Sequence, residues 1–114
     1  MITKFILPFP PSVNARYKQG RGRRSKGDKV LAWEEKAKNA LNLQNVQPVI
    51  GRVLLEYSLN IPDKRGRDAA NYEKYVTDLL VRQGILKDDS CRHIKGVFVY
   101  WNDIEGKQVN VIIT

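Results

Sequence analysis

Apolar and polar positions alternate most cleanly after Arg52, where Val53, Leu55, Tyr57, Leu59 and Ile61 fall on one side of an extended chain and Leu54, Glu56, Ser58 and Asn60 on the other. That period of two predicts a strand. The spacing then changes to that of an amphipathic helix: Tyr72, Tyr75, Val76, Leu79 and Leu80 recur at i, i+3, i+4, i+7 and i+8, and Gly84 supplies a left-handed stop. Upstream, Val30, Trp33, Ala37, Ala40 and Leu41 repeat the helical period, with Ser25 three residues before Asp28 as a weak capping-box pattern. Ile2 to Leu7 is a short β-prone run closed by "PFPPS", whose prolines forbid helix. Two further strands are predicted, one from His93 to Trp101 and one in "QVNVIIT", joined through "NDIEGK" as a hairpin. The order β-α-β-α-β-β describes an α+β fold, with a four-stranded mixed sheet and two helices on one face.

Composition narrows the class. A chain of 114 residues with 42% hydrophobic and 28% charged residues holds one core, so residues 1–114 are read as a single domain without repeat or linker. No apolar run approaches the ~20 residues of a membrane span, and the N-terminus is too short in apolar residues for a signal peptide, so a cytoplasmic protein is expected. The single cysteine, Cys91, excludes an intrachain disulfide or a cysteine-based zinc site, and no function attaches to it.

The net charge of +8 points to a polyanionic partner. It is concentrated between Arg16 and Lys29, where Arg16, Lys18, Arg21, Arg23, Arg24, Lys26 and Lys29 face one acid, Asp28. Such a segment is either a solvated charge block or an arm that neutralises phosphates along a nucleic acid.

The chemistry centres on "RGRDAANYEK", Arg65 to Lys74, and on "KDDS" after it. If Asp68 were already helical it would fall near the Tyr72 and Tyr75 stripe, so extended backbone is expected there, which points Asp68 and position 70 the same way. Asn71 and Lys74 then share the polar side of the helix start. Phosphodiester hydrolysis asks for a hard divalent cation held by a few carboxylate oxygens and for a cation facing the phosphoryl oxygens. Asp68 with Asp88 or Asp89 is a candidate ligand set, and Lys74 a candidate cation. Each also has a plain reading. Asp68 serves equally as an N-cap accepting from the Asn71 amide, Lys74 as a solvated lysine, "KDDS" as turn chemistry, Asp63 as part of a charge-balanced turn, and His93 as a packed or surface histidine.

Three segments, "LPFPPSVNARY", "IPDKRGRDAANYEKYVTDLL" and "GILKDDS", resemble the RusA family of Holliday junction resolvases, small dimeric endonucleases of phage and bacteria, over nearly the whole chain. The family pattern is an arginine-rich stretch, then Asp, one residue, Asp, Asn, two residues and Lys, with a later Asp-Asp. The resemblance implies that Asp68 is the first catalytic aspartate, Lys74 the essential lysine, Asn71 the amide of the motif, and Asp89 the last metal-binding aspartate, with Asp88 beside it. Ala70 stands where the second aspartate belongs. Since every other motif element is intact, a deliberate replacement is favoured over drift, leaving a chain that binds DNA and cuts poorly.

The same resemblance implies Mg²⁺, with Mn²⁺ as a substitute, as the cofactor, no organic cofactor, a homodimer as the working unit, four-way junction DNA as substrate, and activity at the nucleoid. Arg65, Arg67, Asn71 and the Arg16–Lys29 segment become DNA contacts, and the dimer surface is either the strands after Arg92 or the tyrosine-bearing helix. The whole reading requires Asp68 and Asp89 to converge beside Lys74. Two rivals stand beside it. One is a single-stranded DNA or RNA binding module stacking bases on Tyr17, Tyr57, Tyr100 or Trp101. The other is a structural or regulatory protein whose charge is incidental.

Overall fold

The structure, a computed structural model, describes residues 2–12 and 27–114. Arg16, Tyr17, Lys18, Arg21, Arg23, Arg24, Ser25 and Lys26 therefore lie outside the described residues. The elements are β1 (Thr3–Pro8), α1 (Asp28–Leu43), β2 (Val53–Ile61), a 3₁₀ turn (Ala69–Tyr72) leading into α2 (Glu73–Arg82), β3 (Ile94–Glu105) and β4 (Gln108–Ile113). This is the α+β domain with a four-stranded mixed sheet that the pattern predicts.

The period-two reading of β2 is right on its helix-facing side: Val53, Leu55, Tyr57 and Leu59 are buried. They join Phe5 and Leu7 of β1 and Val109, Val111 and Ile113 of β4 in one core, closed by Val30, Trp33, Ala37 and Leu41 of α1 and by the predicted α2 stripe. Both helices thus cover one face. α1 starts after Gly27, which has extended backbone and makes no side-chain cap. α2 ends as predicted at Gly84, whose φ of 78° lets the following Ile85 amide bond back to the Leu80 carbonyl at 2.9 Å.

The other face of the sheet is polar at its centre. Asn60, buried, accepts from the side-chain amides of Asn102 (2.6 Å) and Asn110 (3.1 Å), and Asn102 also reaches the Ser58 hydroxyl at 2.9 Å. Bonded amides satisfy one another here instead of packing hydrocarbon.

Strand order corrects one expectation. The sheet runs β1-β4-β2-β3, with β2 and β3 parallel and β4 antiparallel to both β1 and β2, so β3 and β4 form no hairpin. β3 also runs on past Trp101 through residues read as a turn, to Glu105. Asp103 (φ 66°) and Gly106 (φ 144°) then carry the chain across the end of β2, where the Gly106 amide bonds to the Ile61 carbonyl at 3.0 Å. The reason lies in β2: Leu55, Tyr57 and Leu59 are wholly buried, which demands a neighbour on each side, and β4 with its own buried valines fills one of them. Turn residues signal a reversal of direction without saying which strand receives it.

Candidate active site

The residues around Asp68 are placed by three local devices. Pro62 and the turn after it carry Asp63, which accepts from the Arg67 guanidinium (Nε 3.0 Å, Nη2 2.5 Å) and from the Arg65 backbone amide (3.1 Å). The hydrogen bond from Arg67 holds the Asp63 carboxyl well below the usual carboxylate range. Arg67 also donates through Nη1 to the Tyr72 hydroxyl at 2.9 Å. Arg67 is therefore occupied inside the protein, while Arg65 stands out with three-quarters of its side chain exposed (75%). Of Arg65 and Arg67, both expected on DNA, Arg67 is held by Asp63 and Tyr72, while Arg65, its Nε 3.6 Å from the same Asp63 carboxylate, keeps most of its length exposed.

The second device is the N-cap. Asp68 has extended backbone (φ −99°, ψ 120°), as its position beside the tyrosine stripe requires. Its carboxylate accepts from the Ala70 amide at 3.1 Å, and its carbonyl accepts from the Asn71 amide at 3.0 Å, one residue away from the cap partner expected. Ala70 is exposed beside it. One turn on, Lys74 lies half exposed with its ammonium 3.5 Å from Asp78, an i+4 partner that the sequence carried in plain view. The third device is aromatic. Phe9, Tyr72 and Trp101 pack with ring centroids 4.9 to 6.2 Å apart, tying the "PFPPS" segment, the start of α2 and β3 into one unit.

Asp88 and Asp89 are elsewhere. Asp88 accepts from the Ser90 amide at 2.8 Å and lies 3.5 Å from His93, and the bonds to Ser90 lower its carboxyl pKa. Asp88 and His93 thus build the turn before β3. Asp89 is exposed and makes no hydrogen bond or ion pair with any described residue. The Ile94 amide bonds to Ser90 at 3.0 Å, which fixes this acidic pair at the beginning of β3. Tyr72, by contrast, sits against Trp101, seven residues of extended chain further along, or about 23 Å at a strand's rise. The structure brings Asp68, Ala70, Asn71 and Lys74 together and leaves Asp88 and Asp89 at the far end of α2, against the expectation that Asp68 and Asp89 meet beside Lys74.

Among the described residues, therefore, this turn does not assemble a complete set of ligands for a divalent cation. Asp68 already gives one oxygen to the Ala70 amide, Ala70 offers none, and among the described residues no group of three or more His, Cys, Asp or Glu is placed to hold an ion. What the subunit does offer beside this turn is an open groove of about 730 Å³ floored by Phe9, Trp33 and Tyr72 and rimmed by Lys29, Lys36, Arg65 and Lys107. Lys36 and Lys107 were not singled out in the sequence. Lys29, Ala32, Trp33 and Lys36 follow i, i+3, i+4, i+7, so the helical period that marked the core also marked this rim. Trp33 is fixed at its edge by an indole N–H donated to the Pro8 carbonyl at 2.8 Å.

Comparison with known proteins matches residues 8–114 to the family model described as Endodeoxyribonuclease RusA. The chain belongs to the RusA family. Among curated RusA relatives, the crossover junction endodeoxyribonuclease RusA of Escherichia coli strain K12 is 34% identical over 89 residues, covering 74% of this chain and 71% of the relative. The crossover junction endodeoxyribonuclease of Enterobacteria phage HK97 is 27% identical over 101 residues, covering 84% of each. That of Enterobacteria phage 82 is 30% identical over 89 residues, covering 74% and 71%. No helix among the described residues is long and apolar enough to cross a membrane.

Proposed function

We propose that this RusA-family chain is a structure-selective junction protein whose catalytic form, with aspartate at position 70, hydrolyses phosphodiesters at four-way DNA junctions as a two-fold homodimer, and that the present chain binds junctions with cleavage impaired by Ala70. The observation that carries the reading is the grouping of Asp68, position 70, Asn71 and Lys74 on one exposed turn beside a lysine- and arginine-rimmed groove, in a chain whose relatives are crossover junction endodeoxyribonucleases.

The chemistry follows from that grouping. Hydrolysis joins a water oxygen to phosphorus, breaks the bond to one deoxyribose oxygen, and returns a proton to that oxygen. Lys74, whose ammonium lies 3.5 Å from Asp78 one turn further along α2, is the cation this turn offers to developing phosphoryl charge. Asp68 and an aspartate at position 70 add negative charge on the same side, suited to Mg²⁺ or Mn²⁺, with the remaining ligands coming from outside this turn. Lys29, Lys36, Arg65 and Lys107 contact phosphates, which positions a duplex arm without reading its bases. Two equal incisions on a two-fold symmetric junction call for two sites related by the same symmetry.

Two of the four aromatics of the rival single-strand module are occupied within the fold: Tyr57 is completely buried and Trp101 is packed against Phe9 and Tyr72, whereas Tyr100 stays exposed with its hydroxyl donating to Glu56 at 2.7 Å and Tyr17 lies outside the described residues. Titrating four-way, linear duplex and single-stranded DNA with Ca²⁺ present, then assaying the Ala70→Asp variant for junction cleavage with Mg²⁺ or Mn²⁺, tests the proposal. Preference for the junction and a gain of at least a hundredfold in cleavage are expected. Equal affinity for all three DNAs, or no gain, overturns it.

A further inference from the structure

β3 carries an irregularity that β2 does not share. Leu59 pairs with Trp101 and Ile61 with Glu105, so β3 advances four residues where β2 advances two, a bulge between parallel strands, where bulges are rare. The Asn102 side chain holds it at both ends. Its amide donates to the Ser58 hydroxyl and to Asn60, both buried on β2, and its carbonyl accepts from the Ile104 backbone amide at 2.8 Å, closing a turn around Asp103. Asn110 of β4 reinforces the same pair, donating to Asn60 and to the Ser58 carbonyl, each at 3.1 Å. Asp103, at the crest, has left-handed backbone with φ 66°. A buried amide network stabilises only when its members are satisfied, and this one is spent on fixing a strained residue in place.

The bulge delivers Asp103 to a small cavity. Its volume is about 230 Å³, and it is lined by Ile61, Pro62, Arg65, Arg67, Trp101 and Asp103. Phe9 and Tyr72 lie 4.9 Å from each other and 6.2 and 6.0 Å from Trp101, so both stand on the same side of the indole, and the remainder of the half-buried ring is left to the cavity. Arg67 is tied to Asp63 and Tyr72, whereas Arg65 keeps most of its length exposed. The Asp103 carboxylate is exposed and makes no hydrogen bond or ion pair with any described residue. Apolar walls, one free acceptor and one long cation thus share a space below the roughly 300–1,000 Å³ of sites for larger organic ligands. A flat heterocycle that bears N–H donors and is joined to a phosphate matches all three features.

An ionised carboxylate only accepts hydrogen bonds, and it accepts two side by side. Guanine presents N1–H and N2–H in that arrangement. Adenine and cytosine set a single amino group beside a ring acceptor, and thymine sets its one N–H between two carbonyls. In a duplex the guanine donors are engaged by cytosine, so only an unpaired guanine has them to give. We infer that this pocket takes one unpaired guanine at the branch point of a junction, with its ring against Trp101, its N1–H and N2–H on Asp103, and the adjoining phosphate on Arg65. The inference rests on the junction-binding reading and adds to it the base that the protein reads. It also supplies selectivity that phosphate contacts do not, since an opened branch point offers a free base and a continuous duplex does not. One wall serves one base, not the run of stacked bases that a single-strand binder holds.

The test uses the chain as it stands and requires no cleavage. Affinity is measured for linear duplexes of one sequence that carry a single extrahelical nucleotide, whose base is guanine, hypoxanthine, adenine, cytosine or thymine. Extrahelical guanine should be bound about tenfold or more tighter than thymine, or than hypoxanthine, which lacks only the N2 amino group. Asp103→Asn and Asp103→Gly, both compatible with left-handed backbone at this exposed position, should keep the circular dichroism spectrum and thermal midpoint and bring that ratio close to one. Loss of the negative charge raises affinity for every DNA alike, so the ratio, not the affinity, reports the contact. Equal affinity for all of these duplexes, or a guanine preference that survives both substitutions, overturns the pocket whether or not junctions are preferred. The junction reading fails separately, if a four-way junction built from the same arms is bound no better than the plain duplex.

Discussion

Replacing Thr77 with valine tests how the start of α2 is held. Thr77 is buried on α2, and its hydroxyl donates to the Glu73 carboxylate at 2.7 Å. Having given its only hydrogen to Glu73, it accepts from the Tyr57 hydroxyl, 2.8 Å away on β2. Tyr57 is fully buried, and burial raises its pKa far above the ordinary tyrosine value, so its hydroxyl keeps its proton and depends on this partner. Valine matches threonine in shape and leaves that hydroxyl orphaned. An orphaned buried hydroxyl costs about 1–3 kcal/mol. At an unfolding entropy of about 2.1 cal/mol/K per residue, 2 kcal/mol lowers Tm by about 8 °C in a chain of this length. Tyr57→Phe removes the hydroxyl itself and costs less, about 0.5–1.5 kcal/mol. In the double variant no orphan remains, so adding Tyr57→Phe to Thr77→Val should restore stability. Urea and thermal unfolding of the four proteins measure this as a double-mutant cycle. Simple additivity, or a Thr77→Val loss below about 0.5 kcal/mol, would show that the chain from Tyr57 through Thr77 to Glu73 does not operate.

Three other outcomes follow from the site. Asp68→Ala removes the N-cap and should cost about 1 kcal/mol, whereas Asp68→Asn keeps the cap and removes only the charge; chemical unfolding separates the two, and both should abolish Mn²⁺ binding in the Ala70→Asp background. Asp63 has its pKa depressed below the usual 3.8, so the contribution of the turn is complete above that value and is lost only as pH falls through the lower folded-state pKa. Arg67→Met should return Asp63 to the ordinary range and move release of the turn to higher pH, read from the Asp63 carboxyl carbon shift by NMR. Replacing Lys36 and Lys107 together with glutamine should lower the slope of log affinity against log salt by about 2 on duplex arms, without a change in the ratio of junction to duplex affinity if these residues contact phosphates alone.

Much of the fold was legible because it depends on single-chain periodicity. The α2 stripe of Tyr72, Tyr75, Val76, Leu79 and Leu80 is buried as read, Gly84 stops the helix, and the extended conformation of Asp68 followed from the cost of placing a carboxylate among those tyrosines. What the sequence hid was pairing between distant segments. The partners of β3 and β4 depend on which strand most needs burial on both sides, and period-two patterns look alike in neighbours and non-neighbours. The same limit applies to the site. Arg67 reads as a DNA contact until Asp63 and Tyr72 are seen to hold it, and Asp88 and Asp89 look equivalent until Ser90 and His93 single out Asp88 for the turn. Convergence of Asp68 with Asp89 follows from their membership of one motif, yet α2 keeps them apart along the chain.

The crossing of the chain over the end of β2 also governs how the molecule is made. β1 is hydrogen-bonded in the sheet only to β4, and β4 alone joins it to β2. Until residues 108–113 have left the ribosome, the first strand has nothing to pair with and the hydrophobic floor under α1 stays open. Folding therefore waits for the last of the four strands, which acts as the keystone, and any nascent chain halted before it is a target for chaperones and proteases rather than a partly active enzyme.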